Sequence, residues 1–216
     1  MKLLTLPAPL CLLSLAAALA ANASGQPLLL TGATVHPVTA PPLSPGQVLI
    51  QAGKIAAVGT NLDAPGATII DLSGQHLYPG LIALNTVLGL TEISAVRATE
   101  DTTEVGDYTP EVQSWIAVNP DSELIPVARA NGIACFEPAP RGGIVAGQSA
   151  LLATDGWGIE QMTLRQPLAL HLYWPAMDLN LANRPPTKTR PKSLEEQARE
   201  RQTKLRDLMA FFEEAR

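Results

Sequence analysis

An apolar stretch from Leu10 to Ala21 follows Lys2, and Ala18-Leu19-Ala20 and Ala21-Asn22-Ala23 each offer a small-x-small cleavage site. A basic start, a short apolar run and small residues before the cut define a secretory signal peptide over residues 1–23. The run is shorter than the ~20 apolar residues that a membrane helix needs. The pattern therefore predicts an exported protein, periplasmic or secreted, without a permanent membrane span. Cys11 lies inside the run without the small-residue context of a lipidated cysteine.

From Leu28 to Leu72 the apolar positions follow a β pattern. Leu28-Leu29-Leu30 and Ala33-Thr34-Val35 come first, then a loop holding Pro37, Pro41, Pro42 and Pro45. Gln47-Val48-Leu49-Ile50 and Lys54-Ile55-Ala56-Ala57-Val58 flank Gln51-Ala52-Gly53, a tight hairpin signal. Thr68 to Leu72 gives a further strand, closed by Ser73-Gly74. Short strands with glycine punctuation predict a small sheet or β-sandwich over residues 24–79. The Pro79-Gly80 pair then feeds Leu81 to Asn85, which reads as a buried strand.

The period next becomes helical. Asn119 to Glu123 supplies capping residues for a helix through Leu124, Ile125, Val127, Ala128 and Ala130, stopped by Asn131-Gly132. Ile133 to Phe136 follows as a buried strand with Cys135 as a small core residue. Strand, helix and strand separated by a glycine stop are the grammar of an α/β core, here spanning residues 80–183. Gly142 to Trp157 reads as a strand pair bent at glycines, and Met162 to Trp174 as another. Pro185, Pro186 and Pro191 with interspersed basic residues make 184–192 an exposed linker. Residues 193–216 are an amphipathic helix opened by the capping box Ser193-Leu194-Glu195-Glu196. Its apolar stripe, ending in Phe211-Phe212, needs a surface to cover it.

Composition narrows the classes. With 46% apolar residues, 16% charged and a net charge of −5, the 216-residue chain is globular rather than disordered. The acidic balance argues against nucleic-acid binding. Two cysteines, one inside the leader, give no disulfide framework.

Chemistry is sparse. Gly142-Gly143-Ile144-Val145-Ala146-Gly147-Gln148-Ser149 approaches a phosphate-binding loop, but Gln148 stands where that loop needs lysine. Glycines serving tight bends and close backbone approach account for it better. His36, His76 and His171 are scattered, without a His-x-His or His-x-x-x-His pair, and read as surface or satisfied core residues. The acidic stretch with Glu100, Asp101, Glu104 and Asp107 lacks the calcium-loop pattern and reads as a solvated loop. Trp115, Trp157 and Trp174 read as packing residues, and no Gly-x-Ser-x-Gly elbow carries a nucleophile. From the residues alone the catalytic residues are unknown, and no cofactor-binding or metal-ligating residue is identified.

Three segments nevertheless resemble the amidohydrolase superfamily, in particular the imidazolonepropionase-like branch of metal-dependent hydrolases. They are Leu29 to Val35, Val48 to Gly59 with its Ala52-Gly53-Lys54-Ile55 hairpin, and Ile70 to Ile82 with Asp71-Leu72-Ser73-Gly74 and Pro79-Gly80-Leu81-Ile82. The resemblance implies a small N-terminal β-sandwich followed by a (β/α)8 barrel. It implies an activity, hydrolysis of non-peptide C–N bonds in amides, and a divalent metal such as zinc that activates water. Family members continue Asp-x-His-x-His after Pro-Gly-Leu-Ile. This chain has Ala83 at the Asp position, Asn85 at the first His and Val87 at the second. Val87 cannot bind a metal and the Asn85 amide is a poor replacement for imidazole.

Leu88 to Ile93, Asn119 to Ser122 and Gly142 to Ser149 look like a divergent exported branch that lacks this His pair. A complete barrel takes about 250 residues, more than the 216 of the whole chain. The expectation is a truncated mixed α/β chain, a β-sandwich with an incomplete TIM-type barrel, inactive alone. Its partners would be a missing C-terminal half or further copies that bury the terminal helix. Two alternatives are a non-catalytic binding module and the N-terminal fragment of a longer or split hydrolase.

Overall fold

The computed structural model describes residues 26–179 and 192–216. The leader, including Cys11, and most of the proline-rich linker lie outside the described residues. The chain divides after Pro79 into two compact units.

The first unit is one sheet. Strands β1 (Leu28–Val35), β2 (Leu43–Gln51), β3 (Lys54–Gly59) and β4 (Thr68–Asp71) lie in the order β3-β2-β1-β4, and the short β5 (His76–Leu77) also pairs with β1. The β1-β2 and β2-β3 pairs are antiparallel, whereas β4 and β5 run parallel to β1. Apolar residues gather on one side of β1 and β2: Ala33, Val35 and Val48 are buried, with Leu30, Leu43, Ile50, Leu72 and Leu77 packed against them. The hairpin signal is realised as a turn in which Ala52 and Gly53 both have positive φ, 48° and 72°, the backbone of a type I′ turn. Strand β2 starts at Leu43, earlier than the sequence pattern suggests, and so includes Pro45. The proline is tolerated because the pairing of β1 with β2 shifts register between Ala33 and Val35.

One glycine here is obligatory. Gly32 has φ +78°, and a Cβ on it would lie 2.4 Å from Ser73 Oγ and 2.8 Å from Asp71 Oδ1. Beside it Asp71 Oδ1 accepts from the Ser73 amide at 2.9 Å and from the Ser73 hydroxyl at 2.6 Å. The hydroxyl first and the amide second hold the Asp71 carboxyl below its ordinary range.

The second unit is a mixed sheet in the order β6-β7-β8-β9, made of β6 (Leu81–Thr86), β7 (Ile133–Pro138), β8 (Val145–Ala153) and β9 (Thr163–Leu172). Helix α1 (Leu124–Ala130) precedes β7, which runs parallel to β6. Ser122 Oγ accepts the Leu124 amide at 3.3 Å at its start, and Gly132 leaves it with φ +90°. Strands β7, β8 and β9 then run antiparallel, joined between β8 and β9 by the short α2 (Ile159–Met162). The core is Leu90, Trp115, Val118, Ile125, Phe136, Ala150, Leu152 and Met162. Helix α3 (Leu194–Glu214) begins with the expected capping box. It docks through Leu208, which is buried with Ile144 and Val145, while Phe211 packs at the edge of that cluster.

Five expectations change. Gly142 to Trp157 is a turn and one nine-residue strand, not a strand pair, because Gly147 continues the strand at φ +125° rather than ending it. Met162 to Trp174 is likewise one strand with flanks. Strand β6 forms, but Leu81, Ile82 and Leu84 are more than half exposed, since β6 is an edge of its sheet. Trp115 packs as expected, whereas Trp157 is 93% and Trp174 65% exposed. Cys135 lies in β7 but is only half-buried, because its side chain alternates away from the side that buries Phe136.

Candidate functional site

At the C-terminal end of β7 the chain buries a carboxylate, Glu137, at 6% exposure between Phe136 and Pro138. An ionised carboxylate out of water costs several kcal/mol unless donors replace its hydration. Three donors do so here. The Asn85 backbone N–H reaches Glu137 Oε2 at 3.1 Å. The Ser149 hydroxyl donates to Oε1 at 2.6 Å, and His171 Nε2 lies 3.2 Å from the same oxygen. Nε2 is the ring nitrogen that faces the carboxylate.

These four residues come one from each strand of the sheet: Asn85 from β6, Glu137 from β7, Ser149 from β8 and His171 from β9. Strand pairing sets the spacing, with His171 opposite Gly147 and Ser149 opposite Ala169. Asn85 reaches the carboxylate with a left-handed backbone, φ +53°, a conformation that asparagine tolerates better than most residues. Ser149 is wholly buried and His171 is half-buried. Chemically, this is a carboxylate that orients one imidazole. Serine and histidine share the carboxylate rather than bonding each other, so the arrangement is not a nucleophile–base pair.

Of the candidate residues in the sequence, the structure brings His171 to this cluster. His36 and His76, in the first unit, lie together, with His36 Nε2 2.9 Å from His76 Nδ1. The Gly142–Ser149 segment makes no phosphate loop. A strand rather than a helix follows, a Cβ on Gly147 would lie 2.7 Å from Val112 O, and Gln148 Nε2 is spent on Pro110 O at 2.8 Å. Asp101 and Glu104 line an open cleft of about 430 Å³ with Thr102, Thr103 and Ser114. Among the described residues no three His, Cys, Asp or Glu side chains are grouped to hold a metal. Glu137 does not stand out as a site residue in the sequence. Its one signal there is a glutamate inside the otherwise apolar run from Ile133 to Ala139.

Elsewhere in the unit the Tyr108 hydroxyl is buried without a hydrogen-bond partner among the described residues. Burial first, then the charges of Asp207 and Asp107, push this phenol up.

The fold defines a mixed α/β protein, a small sheet followed by a second unit opening on a parallel strand–helix–strand. No family model matches the chain. It is 45% identical to a D-hydantoinase of Geobacillus stearothermophilus over 53 residues, 24% of this chain and 11% of that protein. It is 48% identical to a dihydroorotase of Streptomyces coelicolor over 44 residues, 20% of this chain and 10% of that one. The crystal structure of an amidohydrolase from Thermotoga maritima superposes with a TM-score of 0.62 at 31% identity, over 67% of this chain and 38% of that one. The chain thus spans about a tenth of these curated relatives and under two fifths of the solved structure. Over the aligned part, it is related to the amidohydrolase superfamily.

The resemblance read from the sequence would place a divalent metal at the end of β6, and the residues present there do not match the ligands it expects. Ala83, Asn85 and Val87 offer a methyl, an amide and an isopropyl group where the resemblance places the carboxylate and two imidazoles. The Asn85 N–H is turned to Glu137, and both Glu137 oxygens already accept hydrogen bonds.

Proposed function

We propose that the chain is an exported amidohydrolase-like protein in which a hydrogen-bonded carboxylate has replaced the metal centre, so that alone it does not hydrolyse C–N bonds. The observation that carries this reading is the Glu137 cluster. Each strand of the sheet supplies one member, and the strand that should provide imidazoles supplies a backbone N–H instead. On the same reading, the first unit corresponds to the family's β-sandwich and β6-α1-β7 to the opening of its barrel. The superposition on the Thermotoga maritima amidohydrolase supports that correspondence. Beyond that opening, β7, β8 and β9 run antiparallel, unlike the all-parallel strands of a (β/α)8 barrel. Export rests on the pattern of residues 1–23.

The test is to purify the chain, measure its bound metal and assay hydantoin-type cyclic amides and linear amides with added Zn(II) or Mn(II). No turnover above background is expected, and Glu137→Gln leaves that result unchanged. Metal-dependent turnover abolished by Glu137→Gln overturns the reading.

A second reading, an interaction module, draws on the apolar edge at Leu81, Ile82 and Leu84. An unpaired apolar edge strand is a template for another strand. Sedimentation showing a stable assembly that Ile82→Lys dissolves, with no turnover in either form, favours it.

A further inference from the structure

We propose that His36 and His76 form a binding site for one late first-row divalent metal ion, Cu(II) above the others. The residues are 40 positions apart and meet because β5 runs parallel to β1, with Thr34 opposite His76 and Val35 opposite Leu77. The backbone beneath them is tied down, since the Thr34 amide donates to Gln75 O at 2.8 Å and the His36 amide to Leu77 O at 2.9 Å. His36 is also held by the Tyr78 ring, stacked at 4.2 Å between centroids and 7° between planes. His76 is exposed.

The two imidazoles face each other, Nε2 of His36 to Nδ1 of His76 at 2.9 Å, with ring centroids 5.2 Å apart. One nitrogen of this pair carries a proton and the other accepts it. A metal replaces that shared proton: the donor ring moves its proton to its other nitrogen, and both facing lone pairs go to the ion. Two neutral rings therefore bind the ion without net proton release. Centroids 5.2 Å apart across a 2.9 Å N···N gap set the two lone pairs head-on, so both rings must turn by about 45° for their lone pairs to meet at one ion with bonds of about 2.0 Å.

The ion is chosen by how close the turned rings stay. Two metal–nitrogen bonds of about 2.0 Å across this gap enclose about 90° at the ion, the cis angle of a tetragonal site. A tetrahedral ion at the same bond length needs nitrogens about 3.3 Å apart. Affinity for nitrogen ligands also peaks at Cu(II) among first-row divalent ions. Water completes the coordination on the exposed side. The site belongs to the first unit, away from the residues of the Glu137 cluster in sequence and sheet, and does not depend on the reading of that cluster.

The experiment titrates the full chain with CuSO4 alone, following binding by calorimetry and the Cu(II) spectrum by electron paramagnetic resonance. The expected result is one saturable site whose spectrum carries coupling from two imidazole nitrogens. His36→Gln and His76→Gln each weaken it at least tenfold, and His171→Gln does not. In the unaltered protein, Cu(II) should also shield His36 and His76 from diethyl pyrocarbonate, a readout that needs no variant to fold. Absence of a saturable site overturns the proposal. So does a loss below tenfold in both variants, an equal loss in His171→Gln, or modification of both rings at the same rate with and without copper.

Discussion

The Ser149 hydroxyl donates to Glu137 Oε1 at 2.6 Å from a side chain that has no exposed surface. A hydrogen bond to an ionised group, made where water cannot replace it, is worth more than an ordinary one. Ser149→Ala is expected to destabilise the protein by about 1.5–3 kcal/mol, read as a shift in the urea midpoint with the slope unchanged. Replacing Ser73, whose hydroxyl donates to the exposed Asp71 at 2.6 Å, should cost less, because water reaches that pair. Equal losses in the two variants would show that burial is not what strengthens the Glu137 bond.

Asp71 gives a pH dependence whose sign follows from its partner. The Ser73 hydroxyl and amide lower the folded carboxyl relative to the unfolded one, so the folded state favours the ionised form. That contribution is present above the unfolded carboxylate range and disappears as pH falls through the lowered folded value. Ser73→Ala should raise the Asp71 midpoint in an NMR titration and flatten the acid limb of the stability curve. An unmoved midpoint would assign the shift to some other group.

Ala52 is an alanine in a left-handed conformation, φ 48°, at the first position of the β2-β3 turn. Holding a non-glycine residue there costs about 1–2 kcal/mol, and asparagine relieves part of it. Ala52→Asn should therefore stabilise the protein by about 0.5–1 kcal/mol. Thermal unfolding of the two forms decides the sign.

Gly147 has φ +125°, and any Cβ would sit 2.7 Å from a backbone oxygen, Val112 O. Neither the strain nor the clash can be shed by turning a side chain. Gly147→Ala is expected to cost more than about 2 kcal/mol and to displace His171, its partner across the β8-β9 pairing. Chemical shifts of the His171 ring report that displacement directly.

The features legible in the amino-acid order are those set by neighbours within a few residues. The Ala52-Gly53 turn, the Leu124–Ala130 helix with its Gly132 exit and the Ser193–Glu196 capping box are all of this kind. What the order of residues hides depends on distant pairing. Gly147 resembles the end of a strand because its reason for being glycine, the approach of Val112, comes from another part of the chain. Leu81 and Ile82 read as buried because their apolar run matches a central strand, whereas strand order makes β6 an edge. His36 and His76 read as scattered because only the parallel β1-β5 pairing brings them together. Glu137 is silent because a single acidic residue in a strand carries no motif. Its partners are supplied by three other strands.

The distribution of the Glu137 cluster over four strands also bears on how the chain reaches its fold. Side chains alternate between the two faces of a strand, so a slip of one residue in β7, β8 or β9 would carry one side chain of the cluster to the opposite face, and a slip in β6 would move the Asn85 N–H along the strand away from the carboxylate. The carboxylate or one of its donors would then be stranded without a partner, at a cost no shifted apolar contact could offset. Four hydrophobic strands could otherwise pair in several nearly equal ways. A single buried charge with one partner on each neighbouring segment works as a proofreader of their alignment, whether or not it ever meets a substrate.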